Sequence, residues 1–143
     1  MFVSQVSVFV ENREGRLAAI TEVLSRKEIN IRALCLADTS SFGVLRLIVD
    51  DPEVAQKALV EEGFTVSRTN VIGVEIADVT GGLDLALKTL DEGKVNIEYM
   101  YAFVSKVSGK AFVIMRVEDT DEATGLLSAK GFRMMDGSDM SKY

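Results

Sequence analysis

Glu11-Asn12-Arg13-Glu14-Gly15-Arg16-Leu17 is a polar turn set between two apolar patterns, and the arrangement returns as Ala77-Asp78-Val79-Thr80-Gly81-Gly82-Leu83. Before each turn the apolar residues alternate. Val6, Val8 and Val10 are interleaved with Gln5, Ser7 and Phe9, and Ile72, Val74 and Ile76 with Gly73, Glu75 and Ala77, the period of a strand. After each turn Leu17, Ile20 and Leu24, or Leu83, Ala86, Leu87 and Leu90, keep helical spacing. Gly15 and Gly81 stand 66 residues apart, as do Asn30-Ile31 and Asn96-Ile97. Further along, Val49-Asp50-Asp51 and Gly63-Phe64 return as Val117-Glu118-Asp119 and Gly131-Phe132 at a separation of 68. Four motifs in one order at nearly one offset indicate a duplication. The two extra residues of the second copy belong in the hairpin loop around Lys106 to Gly109.

Each copy reads as strand, helix, strand, strand, helix, strand. The central hairpins are Ile31 to Leu36 with Gly43 to Val49, and Val95 to Val104 with Lys110 to Val117. Gly93 is placed to end the first helix of the second copy. Asp51-Pro52 and Asp119-Thr120 open the second helices, with an acidic N-cap and, in the first copy, a proline in the first turn. The last strands, after Gly63 and Gly131, read as short. The fold class is α+β: two ferredoxin-like βαββαβ units, residues 1–70 and 71–143, each a four-stranded antiparallel sheet with two helices on one face.

Composition limits the chemistry. The chain of 143 residues is 48% hydrophobic and 27% charged with one proline, a globular composition. A net charge of -6 without a Lys/Arg run argues against nucleic acid and against an anionic membrane surface. There is no histidine and one cysteine, Cys35, so His-based acid–base chemistry, His/Cys zinc sites and an intrachain disulfide are excluded. No basic-then-apolar leader or long apolar run is seen, and a cytoplasmic location is expected. No catalytic residue, metal site or cofactor is expected. Cys35, within Ala33-Leu34-Cys35-Leu36, reads as a packed strand residue.

A helix N-terminus offers unpartnered N–H groups and the positive end of the helix dipole, which suits a carboxylate or phosphate. Gly15 and Gly81, lacking Cβ, would let a ligand approach the backbone. Alternatively they only make the turn. Neither copy has a dinucleotide glycine pattern or a Gly-Lys-Ser/Thr sequence.

The order of a first strand, a polar residue, two positions, Gly, any residue, Leu, a helix and then Asn-Ile resembles the ACT family of small amino-acid-sensing domains. It stands as Asn12-Arg13-Glu14-Gly15-Arg16-Leu17 with Asn30-Ile31, and as Asp78-Val79-Thr80-Gly81-Gly82-Leu83 with Asn96-Ile97. The resemblance covers almost the whole chain and leaves over no catalytic domain. The family often has Asp where Asn12 stands, and Pro where Glu14 and Thr80 stand. The resemblance implies binding of a free amino acid between the strand-to-helix loop of one unit and the second strand of its neighbour, with control of a metabolic enzyme. Asn30 and Asn96 could clamp the zwitterion, or simply end a turn. Of the two loops, the double glycine of the second marks it as the tighter carboxylate cradle. The alternatives are an interaction or structural module without ligand, and an acylphosphatase-like hydrolase using Arg13, Arg16 and Asn12.

Units of the family often pair through their second strands. Within one chain that pairing would require a span of roughly 29 Å from a linker, Ser67 to Asn70, that reaches only about 14 to 18 Å. A homodimer or an exchanged strand is therefore expected. The apolar Leu34, Leu36, Met100 and Ala102 on the second strands argue that something covers those edges.

Overall fold

The computed structural model describes residues 2–38 and 41–139. Its elements are β1 (Val3–Glu11), α1 (Arg16–Arg26), β2 (Ile31–Asp38), β3 (Phe42–Val49), α2 (Pro52–Glu61), β4 (Thr65–Ala77), α3 (Gly82–Glu92), β5 (Ile97–Val104), β6 (Lys110–Val117), α4 (Thr120–Ala129) and β7 (Arg133–Met135). The βαββαβ order occurs twice, with β4 closing the first pass and opening the second. One compact unit holds Ser4–Thr69; the other takes in residues 2–3 and 70–139 of those described.

In the first unit the strand order is β2-β3-β1-β4, antiparallel where registers are defined, with Val6 opposite Leu47, Val8 opposite Leu45 and Val10 opposite Gly43. The valines of β1 point to one face because strand side chains alternate. There they meet Ile20, Val23 and Leu24 of α1 and Ala55, Ala58 and Leu59 of α2 in a single core. The second unit repeats this as β5-β6-β4-β7, with Ile72 opposite Met115, Val74 opposite Val113 and Ile76 opposite Ala111. Ala86 and Leu90 of α3 and Ala123 and Leu127 of α4 close its core. The β5–β6 connection, residues 105–109, contains the predicted insertion.

The second helices start as their sequences require. Asp51 Oδ1 accepts a hydrogen bond from the Val54 N–H at 3.1 Å, and Asp119 Oδ1 from the Glu122 N–H at 3.0 Å. Each supplies an acceptor to a first-turn amide that lacks one within the helix.

One expectation changes, and two details are added. Residues 67–70 are not a linker between strands: Thr65–Ala77 is one strand of 13 residues. Ser67, Arg68 and Asn70 are exposed there, so their polarity marks a solvated strand face rather than a break. Gly93 is the C-cap of α3, as its placement predicts, with φ -84°; the left-handed residue is the next one, Lys94 at φ 58°, matched by Glu28 at φ 56° in the first unit. Gly93 is needed for packing, because a Cβ there would strike the Leu126 side chain. On the sheet face away from the helices, Gln5 and Ser7 are buried and hydrogen-bonded to each other, Gln5 Nε2 donating to Ser7 Oγ at 3.1 Å, while Phe9 is exposed. On that face the polar residues are inside and the aromatic outside.

β2 and β5 are the outer strands, and among the described residues neither has a strand partner on its second edge. Leu34, Leu36, Met100 and Ala102 are all exposed there. No helix among the described residues is long and apolar enough to cross a membrane.

Candidate functional site

The turn from β1 to α1 is shaped by its backbone. Gly15 is the N-cap of α1 with φ 82°, a conformation that costs residues with a Cβ. A Cβ built on it meets nothing within 4 Å, so the torsion and not crowding requires glycine. The Ala19 N–H donates to Gly15 O at 3.0 Å, and the Arg16 N–H to Arg13 O at 3.4 Å. One edge of the turn is fixed by the Asn12 N–H, which donates to Ser41 O at 3.1 Å.

Above this turn lies a cleft of about 100 Å³ lined by Val10, Glu11, Asn12, Arg13, Leu17, Leu36 and Gly43. Its walls are apolar. Leu17, although on the apolar stripe of α1, is 41% exposed because it faces the cleft, and Leu36 reaches it from the uncovered edge of β2. Gly43 lies opposite Val10 in the register; a Cβ there would come within 3.2 Å of both the Leu36 side chain and Ala37 O. The rim is charged: Arg13 Nε pairs with Glu11 Oε2 at 3.1 Å, both side chains at least half exposed. So open a pair is held by at most about 1 kcal/mol, and a ligand could engage either partner at little cost.

Of the residues proposed from sequence in this copy, the structure gathers Asn12, Arg13 and Leu17 at the cleft. Glu14 is exposed. The Arg16 guanidinium lies 4.7 Å from the Phe64 ring centroid and does not line the cleft. Asn30 and Ile31 sit at the other end of β2, where Asn30 O accepts from the Asp50 N–H at 3.2 Å. The strand separates them from the loop by roughly 23 Å at about 3.3 Å per residue. Sequence reasoning missed Leu36 and Gly43 as cleft residues. The repeat held a signal for Gly43: the second copy has Ala111 in the matching register position.

The second loop follows the same backbone plan. Gly81 caps α3 with φ 87°, the Gly82 N–H donates to Val79 O at 3.0 Å, and the Asp78 N–H to Gly109 O at 2.9 Å. The second glycine of its pair has a structural reason of its own. The space beside Gly82 is taken by the Ala77 carbonyl, which a Cβ would strike, so this glycine serves the loop's own packing. Asp78 and Thr80 are exposed, and Leu83 is half-buried against the core. Asn96 lines an open polar depression with Lys94, Glu118, Asp119 and Glu122, and Ile97 packs on the core nearby. That depression is rich in carboxylates and would repel another. Among the described residues no group of His, Cys, Asp and Glu is gathered as for a metal ion.

A family model described as an ACT domain pair matches residues 1–143. A crystal structure of a Bacteroides thetaiotaomicron protein is 40% identical, with 100% of this chain and 98% of that one covered and a TM-score of 0.94. The regulatory subunit of aspartate kinase from Thermus thermophilus, in a ligand-free form, is 17% identical over 90% of this chain and 92% of that one, with a TM-score of 0.66. The corresponding subunit from Thermus flavus is 16% identical over 88% and 90%, with a TM-score of 0.60. These last two likenesses are of fold. No curated protein matches the chain.

Proposed function

Since the chain belongs to the ACT domain pair family, we propose that it is a non-catalytic, cytoplasmic amino-acid sensor that modulates a metabolic enzyme. The observation that carries this reading is the cleft at the β1–α1 turn, where apolar walls stand under a rim of paired opposite charges. A free α-amino acid is a zwitterion on an apolar stem. Arg13 offers donors to its carboxylate and Glu11 an acceptor to its ammonium, while Leu17 and Leu36 offer cover to the side chain.

The unpaired edge of β2 supports a homodimer. Pairing β2 antiparallel with its copy would cover Leu34 and Leu36 and satisfy the open backbone edge. Antiparallel pairing also sets the Ile31 end of one strand against the Asp38 end of the other. Asn30 of the partner subunit would then stand beside the cleft, joining the two halves of the motif that one chain keeps roughly 23 Å apart. Ligand-dependent stability of that pairing is a population shift, and the dimer edge is what a regulated enzyme would sense.

The hydrolase reading has less support, since Arg13 is paired with Glu11 and Arg16 lies over Phe64 rather than in a phosphate-cradling loop. Thermal unfolding of the full chain with each of the twenty amino acids tests the sensor reading. A ligand at a hundred times its dissociation constant adds about 2.7 kcal/mol, a rise of several degrees for a protein of this size. Sedimentation of the same samples should show a stronger dimer with the active ligand. If none of the twenty raises the melting temperature, the protein is an interaction module and not a sensor.

A further inference from the structure

We infer that the chain takes one amino acid, of the branched aliphatic class, and that only the first copy holds it. The inference rests on the sensor reading above and deepens it. Its first ground is size. An apolar cavity of about 150 Å³ accepts the six carbons of benzene, so the roughly 100 Å³ that one chain contributes to this solvent-open cleft has room for about four, the size of a leucine or isoleucine side chain. Val10, Leu17, Leu36 and the bare backbone of Gly43 form its apolar lining; among its lining residues the polar groups are Glu11, Asn12 and Arg13, of which Glu11 and Arg13 form the charged rim. A lysine or aspartate side chain laid against Val10, Leu17 and Leu36 would lose hydration without gaining apolar contact at its charged end, which is unfavourable. An alanine side chain would leave most of the cleft unfilled, and each buried methylene is worth about a factor of four in affinity.

The second ground is the comparison of the copies. Where the first has Glu11, Asn12 and Arg13, the second has Ala77, Asp78 and Val79. The Glu11–Arg13 pair that suits a zwitterion has no counterpart at Ala77 and Val79; Asp78 stands where Asn12 does, and the nearby cation, Lys110 opposite Ala77 in the register, is engaged by Glu75 at 3.7 Å. Where Leu36 packs over the bare backbone of Gly43 to form one wall of the cleft, the second copy has Ala102 and Ala111, so that leucine wall is missing. The duplicated loop keeps its backbone hydrogen bonds, so the second copy has retained the turn and lost the chemistry.

Isothermal titration calorimetry of the full chain with leucine, isoleucine, valine, alanine, threonine, lysine, aspartate and phenylalanine tests this. The expected result is one site per chain, with a branched aliphatic amino acid bound at least about tenfold more tightly than alanine, threonine, lysine or aspartate. Arg13→Val, which installs the second copy's residue at an exposed position, should weaken binding at least tenfold and leave the melting temperature without ligand unchanged. Leu36→Ala should move the preference toward phenylalanine. Tightest binding of a polar or charged amino acid, two sites per chain, or unaltered affinity in Arg13→Val would each overturn the inference while leaving a sensor. Binding by none of the twenty overturns both.

Discussion

Replacing Gly15 and Gly82 separately by alanine separates two reasons for a glycine that sequence cannot tell apart. At Gly15 a Cβ meets open space, so the penalty is that of the left-handed torsion at φ 82°, about 1–2 kcal/mol. Reduced freedom of the unfolded chain offsets about 0.4–1 kcal/mol of this. The net loss should be about 1 kcal/mol, or about 2–5 °C in melting temperature for a chain of this length. Gly15→Asn should lose less, since asparagine enters this region more readily. At Gly82 the torsion is not the difficulty; a Cβ strikes the Ala77 carbonyl, so backbone at the β4–α3 turn must move. Moving it strains the hydrogen bonds from the Gly82 N–H to Val79 O and from the Asp78 N–H to Gly109 O. Losing them with the packing around them should cost about 3 kcal/mol or more. Urea unfolding followed by circular dichroism gives both values. A loss at Gly82 no larger than that at Gly15 would refute the crowding argument. A loss well above 2 kcal/mol at Gly15 would show that the space above it is filled.

Two further outcomes follow from other parts of the chain. Asp51→Ala and Asp119→Ala should each cost about 1 kcal/mol of stability in the same urea assay, through loss of an acceptor for a first-turn amide; equal stability of both variants and the parent would show that water caps these helices as well. The hydrogen bond and charge of Asp84, 2.8 Å from Lys88 Nζ, raise the Lys88 pKa above 10.5. A folded-state pKa above the unfolded value means a stabilising contribution that is complete below pH 10.5 and is lost as pH rises through the folded value. An NMR titration of the Lys88 side chain should show Asp84→Asn bringing its midpoint back toward 10.5, and an unmoved midpoint would remove Asp84 as the cause.

The elements were legible because their signals are local. Alternating valines in β1, helical spacing in α1 and α3, and Asp51 and Asp119 as caps each follow from a few neighbouring residues. The strand from Thr65 to Ala77 was not legible across Ser67 to Asn70, because polar residues on an exposed strand look like a loop until the paired neighbour is known. Nor was the distribution of Gln5, Ser7 and Phe9, where burial is the reverse of polarity. For the site, the β1–α1 turn could be read, but the cleft could not, since Leu36 and Gly43 reach it from β2 and β3 across a hairpin.

What the sequence determined by itself is the duplication, the βαββαβ order and the two glycine turns, because repetition, period and φ preference are properties of the chain alone. What only the tertiary structure decided is which glycine answers to a torsion and which to a neighbouring carbonyl, and that Leu36 and Gly43 join the β1–α1 loop in one cleft. Those depend on atoms many residues apart meeting within a few ångströms. The two loops differ at Glu11, Asn12, Arg13, Leu36 and Gly43 against Ala77, Asp78, Val79, Ala102 and Ala111, and which of these differences meet in space follows only from the packing of the strands that carry them.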